Sequence, residues 1–403
     1  MAELHLNRAL NEWNLGETVI RKMTRLANEH GAVNLSQGFA DYDTPEPVKE
    51  AARAAIAGGN NQYSYTYGIP PLREAIADKA ARFNGIEGID PEDIVVTLGA
   101  TEAIMSVLKT VANSGDEVVF FEPFHEAYVP QCVVLGLVPK AVTIDPATMT
   151  YDPAQLEAAI TDRTVAILLN TPHNPSGKVF TLEELQQIAD LAKRRNLIVI
   201  TDEIYEHILY DEAKHISIAT LPGMRDRTFT CNAMSKTYVA TGWRIGWTIC
   251  PPAYTRYVRA VHDITVVQAP TPLQIAGVTA LTMPDDYYDA MPSFYQERRD
   301  LLVAGLRSIG FTCAAPAGSY YVMADFTGID AKSDSTEFAM RLLHEAKVAA
   351  VPGSNFYLTP GRGENEIRFA FCKKIETLNA AVANLRAFGA QTLGKEASSS
   401  SAS

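Results

Sequence analysis

The sequence predicts an α/β fold in which a mostly parallel sheet is covered by helices on both faces. Between about residue 90 and residue 247, β-branched runs such as "IVVTL", "TVAILLN" and "LIVITDE" alternate with amphipathic stretches, which is typical of βαβ units. Residues 165–169 are apolar at consecutive positions, as in strands buried on both sides. The chain has 403 residues and is 47% hydrophobic, which is enough for a sizeable core and more than one domain.

The flanking segments predict a different organisation. From about Asp285 a long helical region leads to "GSYYVMADF", the helix "STEFAMRLLHEAK" and short strands around "VAAVPG" and "EIRFAFC". This α+β pattern indicates a second, smaller domain. We expect an N-terminal segment at 1–45 that joins the small domain, a large domain at 46–284, a small C-terminal domain at 285–391 and a disordered tail at 392–403, because the chain ends in polar, low-complexity sequence.

One helix start within the large domain is well marked. Thr181 is followed three residues later by Glu184, just before "LQQIADLAKR". This spacing predicts a capping box, in which the two side chains bond each other's backbone N–H groups.

Charge and cysteine usage argue against several classes of protein. The net charge of -12 opposes binding of nucleic acid through a general positive face. The cysteines are five in number and never spaced as CxxC, so neither a disulfide framework nor a zinc site is predicted. The N-terminus lacks the charged and apolar regions of a signal peptide, and no apolar run approaches about 18 residues. We expect a cytoplasmic protein without a metal or membrane partner.

Polar residues that follow the predicted strands are the candidates for a site, because ligands bind outside the carboxyl ends of parallel strands. Ala100 and Thr101 follow Gly99 where a strand gives way to a helix, and the free N–H groups there suit a phosphate. Asn174 lies in the loop after "AILLN", and Asp202 directly follows "LIVIT". Burial of that carboxylate is costly unless a cation pairs with it.

Two cations lie in the apolar segment "SKTYVATGWRIGW", at Lys236 and Arg244. Each of these features has a structural reading when taken alone: a turn glycine, a turn asparagine, an aspartate helix cap, or cations whose stems snorkel along the surface. Together they predict a phosphorylated heteroaromatic cofactor that forms an imine with a lysine. That cofactor is pyridoxal 5′-phosphate (PLP).

The sequence resembles the fold type I PLP-dependent aminotransferases of class I/II and, within them, is similar to the kynurenine/glutamine transaminase and methionine aminotransferase group. The matching phrases are "VNLSQGF", "NQYSYTYGIPPLREAIA", "DEVVFFEPFHEAY", "LNTPHNPSGKVFT", "ITDEIYEHILYD", "HISIATLPGMRDRT", "SKTYVATGWRIGW" and "EIRFAFCK". They occur in the family's order from about Glu17 to Phe388. The combination is far more specific than any single phrase.

The resemblance implies roles at the cofactor. Lys236 matches the Schiff-base lysine, which also shuttles the proton between the substrate Cα and the cofactor. Arg244 matches the phosphate-binding arginine, and Asp202 matches the partner of the pyridine nitrogen. Asn174 and Tyr205 match donors to the ring oxygen O3′. Ala100 and Thr101 match the phosphate cradle.

The resemblance also implies residues for the substrate and for a second subunit. Arg368 matches the arginine that clamps the substrate α-carboxylate, and Gly38 matches a glycine whose backbone lies against that carboxylate. Tyr63 matches a tyrosine that reaches the phosphate of the neighbouring subunit, so we expect a homodimer with shared sites. A turn glycine and a core aromatic are the structural alternatives for Gly38 and Tyr63.

Several positions depart from the family's pattern. His125 occupies the position of an aromatic ring that stacks on the cofactor, and an imidazole can also titrate. Ala233 replaces a phosphate-binding serine, and Ser235 is a nearby substitute whose role stays open. Aromatic residues of the kynurenine pocket are replaced by Ile20, Thr101 and Val267, with Gln268 where histidine is common. The loss of stacking area favours an aliphatic or polar substrate over kynurenine.

The reaction implied is a ping-pong exchange, in which an amino acid gives its nitrogen to PLP and a 2-oxo acid takes it back. A PLP-dependent β-lyase on the same scaffold is the alternative, because a substrate with a β leaving group can eliminate. A regulatory domain that only binds PLP is a third reading. It is disfavoured because the chain carries no basic helix-turn-helix. The sequence specifies neither the amino donor nor the acceptor.

Overall fold

The computed structural model describes residues 8–13 and 15–400. The α-helices lie at Arg8–Glu12 (α1), Val19–His30 (α2), Glu46–Ala57 (α3), Pro70–Lys79 (α4), Ala100–Val111 (α5), Tyr128–Val134 (α6), Pro153–Ala159 (α7), Leu182–Arg194 (α8), Met234–Thr237 (α9), Pro252–Val266 (α10), Thr271–Leu281 (α11), Asp285–Asp289 (α12), Met291–Arg307 (α13), Ser335–Glu345 (α14) and Ile375–Ser400 (α15). The strands lie at Val33–Asn34 (β1), Ile94–Thr97 (β2), Glu117–Glu122 (β3), Val138–Thr143 (β4), Thr164–Asn170 (β5), Ile198–Asp202 (β6), Thr228–Ala233 (β7), Gly246–Ile249 (β8), Tyr321–Asp325 (β9), Val348–Ala349 (β10), Val351–Pro352 (β11) and Glu366–Ala370 (β12).

A seven-stranded sheet in the order β2-β8-β7-β6-β5-β3-β4 forms the centre of the molecule. All neighbouring strands in it are parallel except at β8, which runs antiparallel to both β2 and β7. Asn170 at the end of β5 pairs in register with Asp202 at the end of β6, and Asp202 pairs with Cys231 on β7. The polar residues that follow these strands therefore emerge at one edge of the sheet.

Apolar side chains alternate between the two faces of the sheet and pack against helices on both. Leu168 belongs to a cluster with Ile104 and Val107 of α5, whereas Ile167 belongs to a cluster with Leu185 and other residues of α8. Consecutive apolar positions in β5 are needed because each face has its own helix layer. This arrangement confirms the predicted α/β fold.

The predicted capping box is present at the start of α8. The Thr181 side chain accepts a hydrogen bond from Glu184 N at 3.2 Å, and Thr181 N donates to Glu184 Oε2 at 2.9 Å. Two backbone donors that the first helical turn leaves without partners are thereby satisfied.

The C-terminal part carries a three-stranded antiparallel sheet, β11-β12-β9, and the N-terminal segment joins it because β1 pairs in parallel with β10. An apolar cluster that includes Met23 of α2, Leu302 of α13 and Leu342 of α14 holds the two ends of the chain together. These contacts support the division that we propose, with an N-terminal segment at 1–45, a large domain at 46–284 and a small domain at 285–391.

Helix α15 continues to Ser400, across residues for which the sequence predicts a disordered tail from 392. Extension of a formed helix costs much less than nucleation of a new one, and Glu, Ala and Lys in this segment are good helix formers. Residues 401–403 of the predicted tail lie outside the described residues.

Two further expectations concern the cysteines and the membrane. The five cysteines are unpaired, and Cys313 is the one that is not fully buried. Within the described part of the chain, no helix combines the length and the apolar character that crossing a bilayer requires.

Candidate active site

A cavity of about 860 Å³ opens at the carboxyl ends of the parallel strands. Its wall combines residues of the central sheet with residues of the N-terminal and C-terminal parts. Of the residues predicted from the sequence, it contains Gly38, Ala100, Thr101, His125, Asn174, Asp202, Tyr205, Lys236, Arg244 and Arg368. Residues up to 330 positions apart in the chain therefore converge on one space.

Asp202 is buried at the end of β6, with 5% of its surface exposed. Its Oδ2 accepts a hydrogen bond from the Tyr128 hydroxyl at 2.7 Å, and its Oδ1 accepts from Ile204 N at 3.4 Å. Burial raises the pKa of the Asp202 carboxyl to about 6, although the Tyr128 bond works in the opposite direction. A cationic group bound beside it would stabilise the ionised carboxylate.

A chain of hydrogen bonds links Arg368 to the centre of the cavity. Arg368 is fully buried on β12, and its Nη1 donates to Asn174 Oδ1 at 3.1 Å. Asn174 Nδ2 donates to the Tyr205 hydroxyl at 3.3 Å, which lies 3.2 Å from the Tyr321 hydroxyl. The Arg368 Nε has no hydrogen-bond partner among the described residues, so the guanidinium keeps an unused donor.

Lys236 follows β7 in the short helix α9, and its side chain reaches across to the N-terminal segment. Its Nζ donates to Gly38 O at 2.8 Å, and the same oxygen accepts from the Tyr320 hydroxyl at 2.8 Å. Burial lowers the pKa of the Lys236 amine to about 8. A substantial fraction of this amine is therefore neutral and nucleophilic at neutral to slightly basic pH.

The start of α5 forms an anion cradle with Arg244. The N–H groups of Ala100 and Thr101 lie in the first helical turn, where no intrahelical acceptor exists. The Arg244 guanidinium donates to Leu98 O at 3.0 Å and to Thr241 O at 2.8 Å. Gly99 has φ of +80°, and a Cβ there would come within 2.2 Å of Arg244 Nη2. Only glycine leaves the space in which the guanidinium lies.

Three cations of this cavity, Lys236, Arg244 and Arg368, form no ion pair with any carboxylate in residues 8–13 and 15–400. Arg368 is buried and the other two are half-buried. Cations shielded from water without counterions are costly, so the cavity favours anionic ligands. The phosphate and lysine-reactive aldehyde of PLP fit the cradle and the Lys236 amine, and the buried Asp202 carboxylate fits a pyridine N–H. The third of these cations, Arg368, suits a carboxylate.

His125 is half-buried on the cavity wall, as its position in the family's pattern predicts. Its Nδ1 accepts a hydrogen bond from Ala127 N at 3.3 Å, so the ring proton lies on Nε2. Burial lowers the pKa of the imidazole to about 3. The His125 imidazole is therefore neutral near pH 7 and does not change its charge around that pH.

Some sequence-predicted residues lie apart from the cavity. Tyr63 is 81% exposed, which excludes the core-aromatic alternative. It lines a surface depression with Gln268 instead. Val267 is also exposed and outside the cavity. Ile20 and Thr101 do line the cavity, so only part of the predicted substrate pocket is assembled within one chain.

The sequence indicates no role for two buried tyrosines of the site, Tyr128 and Tyr321. Tyr128 bonds Asp202, and Tyr321 bonds Tyr205 while its ring lies 4.3 Å from the Arg368 guanidinium carbon. Tyr128 occurs in "DEVVFFEPFHEAY", a phrase that carries the family resemblance, whereas Tyr321 occurs in "GSYYVMADF", which indicates only the small domain. Their apolar surroundings in the sequence resemble those of ordinary core aromatics, so nothing marks the hydroxyl groups as part of a site.

Comparison with known proteins gives consistent matches over nearly the whole chain. The family described as "Aminotransferase class I and II" matches residues 30–385. A probable N-succinyldiaminopimelate aminotransferase of Mycobacterium tuberculosis is 40% identical over 380 residues, covering 91% of this chain and 95% of that protein. The methionine aminotransferase of Escherichia coli is 35% identical, covering 92% of this chain and 96% of that protein.

The solved structures agree with the sequence matches. The structure of N-succinyldiaminopimelate aminotransferase from Mycobacterium tuberculosis superposes with a TM-score of 0.91 at 39% identity, and the match covers 95% of this chain and 100% of that one. At this level of identity and coverage, the two proteins are similar in sequence as well as in fold.

Proposed function

The chain belongs to the class I and II aminotransferases, and from this premise we propose how its residues carry out the reaction. As a member it is a PLP-dependent enzyme that transfers an amino group between an amino acid and a 2-oxo acid. The observation that carries the proposed roles is the convergence of three cations without carboxylate partners, Lys236, Arg244 and Arg368, on one cavity. The relatives reported above are named aminotransferases, and no feature of the cavity favours the lyase alternative.

Lys236 holds the cofactor and moves the proton. When bound, PLP supplies an aldehyde carbon that takes up the amino nitrogen and a ring that accepts an electron pair. The Lys236 amine would hold that carbon and, when free, would take the proton from the substrate Cα. A pKa near 8 suits both tasks, because the amine gains and loses a proton close to the working pH.

Asp202 and its neighbours hold the ring. The Asp202 carboxylate keeps the pyridine nitrogen protonated, and the Tyr128 hydroxyl keeps that carboxylate oriented and ionised. Asn174 and Tyr205, joined by a hydrogen bond, would hold the ring oxygen O3′. His125 covers the ring as a neutral imidazole.

Arg244, with the N–H groups of Ala100 and Thr101, binds the phosphate. A guanidinium fork and a helix N-terminus both favour a dianion. The backbone of Arg244 has φ of +58°, an uncommon conformation for a residue other than glycine. Its side chain is fixed by two carbonyl oxygens, so the guanidinium would already be held in place when a phosphate binds. Ser235 lines the same cavity and can add a hydroxyl.

Arg368 binds the substrate α-carboxylate. It is fully buried, and its Nε has no partner in the described part of the chain, so an N–H remains for a carboxylate oxygen. Gly38 lies against the same space, and a Cβ there would come within 1.8 Å of the Tyr321 hydroxyl. Since every substrate of the reaction carries an α-carboxylate, one clamp serves both half-reactions.

Two copies of the chain form a homodimer that shares its sites. Exposed apolar residues around Tyr63 support this arrangement. Tyr65 is 55% exposed, and Val267, beside the Gln268 that bonds Ser64 N, is 44% exposed. Adjoining exposed apolar side chains are typical of an interaction surface. Tyr63 reaches the phosphate of the neighbouring subunit, and Val267 and Gln268 lie at the mouth of that subunit's cavity.

The substrate is an aliphatic or polar amino acid rather than kynurenine. Ile20 and Thr101 provide no aromatic stacking surface on the cavity wall. The similar proteins are named for different substrates, N-succinyldiaminopimelate and methionine, so no single name transfers to this chain. A cytoplasmic location accords with the five free cysteines.

The test is an absorbance titration of the purified protein. With PLP bound, we expect a near-visible band of covalently held cofactor that changes when amino acids are added one at a time. The variant Lys236→Ala should lose that band and at least about 10⁴-fold of turnover. Full turnover in this variant, or the absence of the band from wild-type protein with PLP, would overturn the assignment of Lys236.

A further inference from the structure

One guanidinium on the cavity wall has no part in the proposed roles. Arg21 lies in the first turn of α2 and lines the cavity together with Thr18 and Ile20. One turn along the same helix, Arg25 is paired with Glu17 and Glu29. In contrast, Arg21 is exposed and has no hydrogen-bond or ion-pair partner in the described part of the chain.

The surroundings of Arg21 favour a negative charge. The helix dipole places partial positive charge at the N-terminus of α2. One acid on this wall, Glu126, already accepts hydrogen bonds from Ile20 N at 3.3 Å and Asn355 Nδ2 at 3.1 Å. No ion pair joins Glu126 to Arg21, so the guanidinium remains available to a ligand.

The contacts of α2 connect the helix that carries Arg21 to the carboxylate clamp. Arg368 donates to Ser36 O, and the Ser36 hydroxyl lies 3.4 Å from that of Thr24 on α2. Arg21 is three residues before Thr24, which places it about 4.5 Å further along the helix axis. The cavity thus has one arginine at the α-carboxylate end and a second, Arg21, on the helix that contacts the segment bonded to Arg368; Ile20 lines the same cavity.

We propose that Arg21 is a specificity-determining residue, which binds an anionic group at the far end of the substrate side chain. The preferred substrates are then acidic amino acids and the corresponding 2-oxo dicarboxylates. This inference rests on the proposed function, because it takes Arg368 as the anchor of the α-carboxylate. It narrows the expected substrates from aliphatic or polar amino acids to those with an acidic side chain.

The chemistry favours a carboxylate over a neutral polar group. Arginine presents a fork that matches the two oxygens of a carboxylate, and it is always charged. Because Arg21 is partly in solvent, the gain over a neutral isostere is modest, about tenfold in kcat/KM. Salt should reduce this preference, since exposed charges are screened.

The experiment compares carboxylates with their carboxamide isosteres. Holoenzyme is assayed with L-glutamate against L-glutamine and with L-aspartate against L-asparagine, and a longer acid, L-2-aminoadipate, tests the reach of the cavity. Wild-type protein should prefer at least one acid over its neutral counterpart. Arg21→Gln should lower kcat/KM for that acid about tenfold, mainly through KM, and leave the amides within about twofold.

The matched control is Lys22→Gln, which removes an adjacent exposed cation that does not line the cavity. It should leave the ratio of acid to amide unchanged. Arg21→Glu should reverse the preference. The inference is wrong if Arg21→Gln keeps the wild-type ratio, or if wild-type protein prefers the amides. In either case, retained turnover of neutral amino acids would leave the proposed function intact, whereas loss of turnover with every amino acid would count against that function.

Discussion

At the scale of single residues, the site works because burial changes the proton affinity of its groups in useful directions. The Lys236 amine loses protons more readily than a lysine in water, and the Asp202 carboxyl holds its proton more tightly, in both cases because of desolvation. Their environments move the two pKa values towards neutral pH from opposite sides. A bound pyridine N–H would return Asp202 to its ionised form.

The first prediction concerns the pH dependence of cofactor uptake. Only the neutral Lys236 amine attacks an aldehyde, and its pKa is about 8 instead of 10.5. The rate at which apoenzyme regains the covalent PLP band should therefore rise with pH and level off above about pH 8 to 9. Stopped-flow absorbance measures this rate. A rate that keeps rising tenfold per pH unit up to pH 10 would contradict the lowered pKa.

The second prediction concerns Tyr128→Phe, which removes the hydroxyl bonded to Asp202. Because that bond lowers the pKa of the carboxyl, its loss should raise this pKa and move the acid limb of the kcat/KM profile to higher pH. We expect about a tenfold loss of kcat/KM at neutral pH, since hydrogen bonds to charged groups contribute about 1.5–3 kcal/mol.

Tyr210→Phe is the matched control for this change. Its hydroxyl is equally buried but bonds Ser319 O, and the residue does not line the cavity. Its pH profile should match that of wild-type protein. An unchanged acid limb in Tyr128→Phe would show that Tyr128 does not act through Asp202.

At the scale of elements, strand ends and helix starts place most of the site. The parallel strands β5, β6 and β7 end at one edge of the sheet, and this follows from hydrophobic patterning and the handedness of βαβ units. The start of α5 and the cavity residues after β5 and β6 were predicted on that basis. The capping box of α8 was predicted from two residues alone, because its bonds are local.

The parts that the sequence did not indicate depend on distant contacts. Tyr128 meets Asp202 across 74 residues, and Tyr321 meets Tyr205 across 116. Neither spacing leaves a periodic signal, and a tyrosine hydroxyl in an apolar stretch looks like any core aromatic. The sequence does not mark Arg21 either, because an exposed arginine on a helix is usually solvated and has no binding role.

The third prediction concerns the turn that opens α5. Gly99→Ala would place a methyl group within 2.2 Å of Arg244 Nη2 and would strain a backbone with φ of +80°. We expect PLP affinity to fall about 100-fold as the guanidinium is displaced. The free energy of unfolding should fall by about 1–2 kcal/mol.

Gly31→Ala serves as the control for strain alone, since its φ is +60° and no atom lies within 4 Å of the added Cβ. It should show a similar loss of unfolding free energy with unchanged PLP affinity. Equilibrium dialysis of PLP and chemical denaturation separate the two effects. Equal PLP affinities in the two variants would contradict the role of Gly99 in the cradle.

At the scale of the whole molecule, the proposed homodimer makes each site dependent on two chains. The fourth prediction is complementation between Lys236→Ala and Tyr63→Ala, each of which should be nearly inactive alone. Random reassociation in equal amounts makes about half of the dimers mixed, and each mixed dimer has one complete site. Activity should therefore recover to about a quarter of the wild-type value.

Mass analysis should show that mixed dimers form. If they form but the mixture stays as inactive as each variant alone, Tyr63 does not contribute to the neighbouring subunit's site. If analytical ultracentrifugation shows a monomer that has full activity, the proposed homodimer is wrong. Tyr63→Phe keeps the ring and loses the hydroxyl, so it distinguishes phosphate binding from packing.

The pairing of β1 with β10 has a consequence for the order in which the protein matures on the ribosome. The central sheet and Lys236 are complete once the chain has been synthesised to about residue 250, so this part can fold early. The first forty residues must wait for Val348, their partner in β10, and the carboxylate clamp must wait for Arg368. A nascent chain would thus acquire its cofactor lysine long before it can hold a substrate.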